Sequence, residues 1–351
     1  MADKKSKKLS KTAKIVIAFV CVVGIALGVT AFNYYLRYFG PNVTDNQEYL
    51  YIKTGSTIGD VLKTVQEQEI VKDTTTFRWV AFNMDYPERI KPGKYKLQKG
   101  MSNRRLINML KAGNQEPVKV RFQNIRLKRD FAKFISTQLE ADSSSIIRLL
   151  DSTDFISKYG FNTENIYTMF IPNSYEMYWN TSAEQFFERM NKEYEKFWTA
   201  ERKAKAKEIG LDPIRITILA SIVDAEALHN DEMPTIAGLY MNRYKKGIRL
   251  QADPTVIFAT QDFTIRRVLN RHLTTDSPYN TYRNAGLPPG PIMMPSIEAV
   301  DAVLNYKKHN YIYMCAKEDF SGYHNFAVTE TEHRANARRF QQALNRMNIK
   351  R

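Results

Sequence analysis

An uncharged apolar run near the amino terminus constrains this chain more than any other feature. Residues 15–32, IVIAFVCVVGIALGVTAF, carry no charged side chain. As an α-helix they would span about 27 Å, close to the hydrocarbon thickness of a bilayer. Six lysines precede the run, and Tyr34 and Tyr35 follow it where an aromatic belt is expected. The pattern predicts a cytoplasmic basic tail over residues 1–14 and a single transmembrane anchor over residues 15–36, with the bulk of the chain outside the membrane.

A cleaved signal peptide is the main alternative for this segment. Val29, Thr30 and Ala31 resemble a small-residue cleavage site. The apolar run is longer than the usual signal core of about 7–15 residues, which favours the uncleaved anchor. Cys21 lies inside the segment, so we do not expect a disulfide with Cys315, the second of the two cysteines. Two cysteines also exclude a disulfide-rich scaffold.

The charge of the chain bears on its partners. The 351 residues include 52 Lys and Arg against 37 Asp and Glu, a formal charge of +15. Such a balance usually suggests nucleic acid. A domain held outside the membrane would instead meet anionic phospholipid and, in a bacterium, anionic wall polymer, to which salt-sensitive attachment is expected. We therefore predict no nucleic-acid partner.

The rest of the chain is predicted to be α+β and to form two domains. In residues 45–117 a strand, a glycine turn and an apolar helix occur twice, 45 residues apart, with no Asp, Glu or His cluster. This small α/β module is therefore expected to bind a ligand or to act as a spacer, and not to catalyse a reaction. Residues 118–351 are long enough for a larger α+β catalytic domain. Its expected elements are polar, amphipathic helices over 128–151 and 182–209, strands over 310–317 and 323–328, and a basic amphipathic helix from Thr329.

One helix of the larger domain carries a candidate acid. Asp212 is placed to cap it, Pro213 would occupy its first position, and the helix is predicted to continue to Ala227. By helix periodicity Glu226 shares the apolar face, whereas Asp224 points away. A carboxyl buried against aliphatic groups has a raised pKa and can act as a general acid. The alternative is a glutamate at a helix end that faces solvent or pairs with an arginine.

Stiff loops rich in rings, hydroxyls and amides follow this helix, and they suit a polyhydroxylated ligand such as a sugar. In order, the runs LASIVDAEA, IAGLYMNR, LQADPTV and SPYNTYRNAGLPPGPI, with the later histidines of HNF and EHR, resemble the YceG-like family of endolytic murein transglycosylases. The resemblance implies a LysM-like fold for the small module. It also implies a lytic transglycosylase of the bacterial inner membrane that needs no metal or cofactor. Such an enzyme cuts nascent glycan strands between N-acetylmuramic acid and N-acetylglucosamine and leaves 1,6-anhydro-muramoyl ends.

The resemblance also identifies site residues. The catalytic glutamate of the family falls on Glu226, and the family pattern suggests a set of substrate-binding residues. This set is Asn242, Gln251, Asp253, Tyr279, Asn280 and Tyr282. The chain departs from the family where Asp224 and Ala225 replace a glutamate and a lysine, and where Asn173 replaces an aspartate. We expect activity to survive the change at Asp224, while any catalytic role at position 173 is in doubt.

Two functions of other classes stay open. One is a non-catalytic peptidoglycan-binding scaffold of the wall-synthesis machinery, favoured by the anchor, the module and the altered acid motif. The other is a metal-dependent wall hydrolase using His324 and His333, which lacks a His-Glu-x-x-His spacing. Partners among peptidoglycan synthases or division proteins are implied by the family alone.

Overall fold

The computed structural model of this chain describes residues 10–347, so most of the predicted basic tail lies outside the described residues. The chain divides into two compact units. The first extends to Val118 and also includes Tyr178–Asn180, and the second comprises Lys119–Met177 and the chain from Thr181 onward.

A single long helix, α1, opens the first unit. It runs from Lys11 to Phe39, and the side chain of Ser10 caps it by accepting from the amide of Ala13. In the described part of the chain it is the one helix long and apolar enough to cross a membrane. It extends beyond the predicted segment at both ends, since Ser10 caps its start and no proline occurs before Pro41.

The remainder of the first unit is the predicted strand–turn–helix pattern, used twice. Its elements are β1 (Tyr49–Ile52), α2 (Ile58–Glu67), α3 (Thr74–Asn83), β2 (Gly93–Lys96) and α4 (Asn103–Ala112). The side chains of Thr57 and Ser102 cap α2 and α4. β1 and β2 pair antiparallel, with Leu50 opposite Tyr95, and both residues enter the core of the unit. The likeness to a LysM fold stays a prediction.

The second unit is mainly helical and has two small sheets, which confirms the α+β class. Its helices are α5 (Lys128–Gln138), α6 (Ser143–Asp151), α7 (Thr153–Ile156), α8 (Ala183–Phe197), α9 (Ala200–Ile209), α10 (Pro213–Glu226), α11 (Met233–Lys245), α12 (Asp253–Thr260), α13 (Asn270–Leu273), α14 (Ile297–Leu304) and α15 (Glu330–Arg346), with 3-10 turns at Ser157–Tyr159 and Ile166–Met169. Its strands are β3 (Val118–Phe122), β4 (Asn173–Met177), β5 (Tyr313–Ala316) and β6 (His324–Ala327), paired β3 with β4 and β5 with β6.

The helix α10 forms the centre of this unit. Asp212 caps it and Pro213 is its first residue, as predicted, and it ends at Glu226. The burial of this helix extends beyond one apolar face, because every side chain from Ile216 to Val223 is buried. The helices α9, α11, α12 and α14 all pack against it. At the other end of the unit, α15 packs on β5 and β6.

Candidate active site

A cavity of about 410 Å³ opens at the carboxyl end of α10. One wall comes from α10, α11 and the segments that follow α11, and the other comes from β5, β6 and α15. The lining residues are Glu226, Leu239, Tyr240, Arg243, Leu250, Gln251, Asp253, Tyr282, Tyr313, Met314, Cys315, Ala316, His324 and His333. Four of the seven predicted site residues, Glu226, Gln251, Asp253 and Tyr282, thus lie together although up to 56 positions separate them in the sequence.

Glu226 is the last residue of α10 and is partly buried. The hydroxyl of Tyr240 donates a hydrogen bond to its Oε1 at 2.9 Å. Burial raises the pKa of Glu226 to about 7, the hydrogen bond from Tyr240 opposes this rise, and the charge of Asp253 adds to it. Glu226 therefore exchanges a proton near neutral pH, as a group that both donates and accepts protons must.

Asp224 points to a different part of the structure. Its carboxylate accepts from the backbone amide of Ser296 at 2.8 Å and from the Ser296 hydroxyl at 2.9 Å. Ser296 is the N-cap of α14. Asp224 thus joins α10 to α14 and does not line the cavity, in agreement with the opposite orientations predicted for the two acids.

Arg243 is a buried cation in the cavity wall. It lies one turn after Tyr240 on α11, and its guanidinium donates to the carbonyls of Arg249 and Ile312 at 2.9 and 2.7 Å and to the side-chain oxygen of Gln251. Burial lowers the pKa of Arg243. None of the ion pairs formed within residues 10–347 includes Arg243, so three neutral oxygens hold this charge.

Gln251 is held in an unusual conformation by this contact. Its backbone has a φ of 54°, in the left-handed region that costs a non-glycine residue about 1 kcal/mol or more. Arg243 fixes the side-chain oxygen as the acceptor, so the amide –NH₂ of Gln251 remains a donor for the cavity. Beyond it, the hydroxyl of Tyr282 donates to Oδ1 of Asp253 at 2.7 Å.

The other three predicted site residues do not line the cavity. Asn242 donates to the carbonyls of His309 and Tyr311 at 2.7 and 3.0 Å, and so holds the segment before β5. Asn280 is fully buried, donates to the carbonyls that precede its loop and accepts from the amide of Tyr282 at 3.0 Å. Tyr279 packs on Phe258, and burial raises its pKa to about 12.

The facing wall contains an oriented histidine. Nδ1 of His324 lies 2.7 Å from Oε2 of Glu232, and the backbone amide of His324 donates to Oε1 at 2.8 Å. A carboxylate only accepts, so Nδ1 carries the proton and Nε2 is left for the cavity. His333 stacks on Tyr313, and its Nδ1 is buried without a partner. Within residues 10–347 no cluster of three or more His, Cys, Asp or Glu side chains could hold a metal ion.

Sequence reasoning missed Tyr240, Arg243 and Glu232 as functional candidates. Tyr240 and Arg243 lie three residues apart on α11, a spacing that places two polar groups on one face of a helix and could have indicated a shared site. No sequence signal links Glu232 to His324, because 92 positions separate them. Asn173, at the family's aspartate position, is exposed on β4 and does not line the cavity.

Comparison with known proteins shows which family this sequence resembles. A model of the YceG-like family matches residues 50–339. An endolytic murein transglycosylase of Bacillus subtilis is 26% identical over 284 residues, which cover 76% of this chain and 78% of the relative. A protein of the same name from Streptococcus pneumoniae is 25% identical over 88% of this chain, and the alignment spans 62% of that longer protein.

A solved structure supports the same fold. The 2.6 Å crystal structure of a protein described as YceG-like, from Listeria monocytogenes, superposes with a TM-score of 0.55. The superposition covers 82% of this chain and 98% of that one at 24% identity, so it speaks for the fold alone. Since the family model covers well over half of the sequence, the chain belongs to the YceG-like family.

Proposed function

We propose that this chain is a lytic transglycosylase of peptidoglycan. The observation that carries the proposal is Glu226, a carboxylic acid whose pKa of about 7 is set by burial in a cavity lined with tyrosine, histidine and amide groups. The two relatives named endolytic murein transglycosylase supply the substrate class. The proposed substrate is the nascent glycan strand, cut within the strand at the bond between N-acetylmuramic acid and N-acetylglucosamine.

Glu226 acts twice in this mechanism. In its protonated form it donates to the glycosidic oxygen as the bond from that oxygen to the anomeric carbon of the muramoyl ring breaks. The resulting carboxylate then takes the proton of the muramoyl 6-hydroxyl while that oxygen bonds to the anomeric carbon. The products are a free 4-hydroxyl on the leaving sugar and a 1,6-anhydro-muramoyl end, and Glu226 is again protonated.

One carboxyl group is enough for this reaction. Glycosidases that add water use two, one on each side of the bond. Asp253 also lines the cavity, but its Oδ1 already accepts the hydroxyl hydrogen of Tyr282. Its charge contributes by raising the pKa of Glu226, and together with Gln251 and Tyr282 it forms a polar wall suited to sugar hydroxyls and amides.

The proposed location is the cytoplasmic membrane of a bacterium. α1 would anchor the chain, with its lysine-rich end in the cytoplasm and both compact units outside. The membrane is where nascent strands are made, so synthases or division proteins are the proposed partners.

Mass spectrometry of the products tests the reaction. Purified, uncrosslinked glycan strands are incubated with the full chain in detergent, as wild type, Glu226→Gln and Asp224→Asn. New 1,6-anhydro ends from wild type and Asp224→Asn, with none from a folded Glu226→Gln variant, are expected. Reducing ends instead would identify a hydrolase, and glycan binding without cleavage by any variant would favour the non-catalytic scaffold.

A further inference from the structure

The last turns of α1 are joined to the first unit by direct contacts. The side-chain amide of Asn103, at the start of α4, donates to the backbone carbonyl of Arg37 at 3.0 Å. Asn103 also accepts from the amide of Asn42, just after the end of α1, at 2.7 Å. Both asparagines are buried. The height of the first unit relative to the membrane is therefore fixed by α1.

The contacts along α3 give its direction relative to α1. Before α3 begins, Asp73 exchanges two hydrogen bonds of 2.9 Å with the side chain of Asn42. One turn later, Thr76 accepts from Asn103, the residue bonded to Arg37. A further turn along, Trp79 packs edge-on against Tyr34 and Tyr38 of α1, with ring centroids 4.7 and 5.6 Å apart.

The order of these contacts shows that α3 runs back along α1. As the numbering of α3 rises, the numbering of its partners falls from 42 to 34. Phe82 lies one turn beyond Trp79, about 4.5 Å further along the helix axis. Phe82 therefore lies near Tyr34 when positions are compared along the axis of α1, and Tyr34 is close to the end of the apolar stretch of that helix. Phe82 is nevertheless 48% exposed in the folded chain.

Three arginine–aromatic pairs surround the same end of α1. Arg37 lies over the ring of Trp79 at 5.1 Å, Arg78 over Phe82 at 5.9 Å, and Arg104 over Phe39 at 5.1 Å. All three arginines are exposed, and none takes part in the ion pairs formed within residues 10–347. Aromatic rings at the acyl boundary beside cations that reach phosphate are the composition of a membrane-interface surface.

We propose that the carboxyl end of α3 is a second membrane contact of this chain. Phe82 enters the interface of the leaflet from which α1 emerges, and Arg37, Arg78 and Arg104 bind the phosphates of anionic phospholipid there. Phospholipid is the occupant because this surface is continuous with α1 and carries unpaired positive charge. The inference rests on the proposed membrane anchoring by α1, and it is independent of glycan cleavage.

Nitroxide depth measurements on the full chain in bilayers of phosphatidylglycerol and phosphatidylcholine test the proposal. In a background of Cys21→Ser and Cys315→Ser, one label is attached at Phe82→Cys. A matched control is attached at Lys63→Cys on α2, where the side chain is 71% exposed. The label at 82 is expected to be relaxed by oxygen and protected from an aqueous nickel complex, whereas the label at 63 shows the reverse.

A third label is attached at the native Cys21, in the middle of α1, in a chain that carries Cys315→Ser alone. It distinguishes failure of the α3 contact from failure of the anchor. If Cys21 is in hydrocarbon while position 82 is as accessible to nickel as position 63, the contact of α3 is refuted and the anchor stands. If Cys21 is also accessible to nickel, the anchoring itself is refuted. Adding Arg78→Gln and Arg104→Gln should move the label at 82 to a shallower depth in the bilayer. An unchanged depth would show that these arginines do not contribute to the membrane contact. Glu226→Gln should leave all three depths unchanged.

Discussion

Two carboxyl groups on one helix end have different chemistry because of what surrounds them. Burial raises the pKa of both Asp224 and Glu226. Asp224 receives two hydrogen bonds from Ser296, which favour its charged form. Glu226 receives one, from Tyr240, and also faces the charge of Asp253. Of the two, Glu226 lines the cavity, and its pKa of about 7 lets it hold a proton there near neutral pH.

The pH dependence of activity should follow the ionisation of Glu226. In the free enzyme the acid must be protonated, so kcat/KM is expected to fall about tenfold per pH unit above pH 7. A profile of kcat/KM against pH for anhydro-end formation measures this directly. A profile that stays flat to pH 9 would assign the proton donation to another group.

The free energy of unfolding should also depend on the ionisation of Glu226, in a direction that follows from its raised pKa. Between the ordinary carboxyl pKa of 4.5 and the folded pKa of about 7, the unfolded chain loses the Glu226 proton while the folded chain keeps it. The free energy of unfolding therefore falls as pH rises through this window, by at most about 3 kcal/mol, and the contribution is fully present only below pH 4.5. Urea unfolding of wild type and Glu226→Gln at pH 5, 6, 7 and 8 should show the variant gaining relative stability up to pH 7, and a constant difference would contradict the raised pKa.

Glu232 should matter through His324. Glu232→Gln replaces an acceptor-only carboxylate by an amide, so it no longer requires the proton of His324 to lie on Nδ1. We expect glycan cleavage to fall about tenfold or more, together with a change in the imidazole nitrogen NMR shifts of His324. Asp231→Asn is the matched control, since the Asp231 carboxylate contacts the hydroxyl of Tyr323 on the surface. If both variants lost the same amount of cleavage activity and the His324 shifts were unchanged, Glu232 would have only a structural role.

The sequence predicted part of this site for a physical reason. Glu226 could be identified because its helix has a clear start and because the family pattern places an acid there. Gln251, Asp253 and Tyr282 came from the family pattern alone, and their contacts with Arg243 and with each other depend on tertiary structure. Asn242 and Asn280 were expected in the site, yet both satisfy buried backbone carbonyls, which local sequence does not reveal.

At the level of secondary-structure elements, the residues that cap helices predicted helix starts better than the spacing of apolar residues predicted which faces are buried. Asp212 caps α10 as its sequence predicted, and Thr329, where a helix was expected to begin, caps α15. The intervals 128–151 and 182–209 each contain two helices, because Asp142 and Thr199 cap a second one inside the interval. The Asp-Pro pair at 253 and 254 starts α12, because proline suits the first turn of a helix. The burial of α10 on all sides depends on the four helices packed around it, α9, α11, α12 and α14, so its own sequence does not predict it.

The junction of α10 and α14 should be sensitive to Ser296. Its hydroxyl donates to Asp224 and accepts from the amide of Ala299, so Ser296→Ala removes a helix cap and leaves a partly buried carboxylate with one fewer donor. We expect a loss of about 2–3 kcal/mol in the free energy of unfolding. Ser182→Ala removes the cap of α8 and an exposed hydrogen bond to Glu184, and should cost about 1 kcal/mol. Urea titrations of the two variants measure the difference, and equal costs would show that the contact with Asp224 adds nothing.

At the level of the whole molecule, the two units are built around different hydrophobic cores. The core of the first unit is built from β1, β2, α2, α3 and α4, and includes Leu106. In the second unit one cluster surrounds α10 and includes Leu219, and a further group of buried rings includes Phe131 of α5 and Phe186 of α8. The boundary expected near residue 118 rests on the change in sequence pattern and stays a prediction, while contacts within the structure divide the chain after Val118. The return of Tyr178–Asn180 to the first unit has no counterpart in the sequence pattern.

Two cores predict unfolding that is not all-or-none. Leu106→Ala and Leu219→Ala each remove a fully buried side chain, a change that costs about 2–5 kcal/mol where the core cannot collapse. Because unfolding of a multidomain chain need not be two-state, each substitution should lower protection only in its own unit. Hydrogen exchange read by mass spectrometry on the full chain resolves this peptide by peptide. Leu106→Ala should accelerate exchange in β1, α2 and α4 while α10 and α14 keep wild-type rates, and Leu219→Ala should do the reverse. Faster exchange in both units from either substitution would mean that the two cores unfold as one cooperative body, and the division into two units would then be geometric without being energetic.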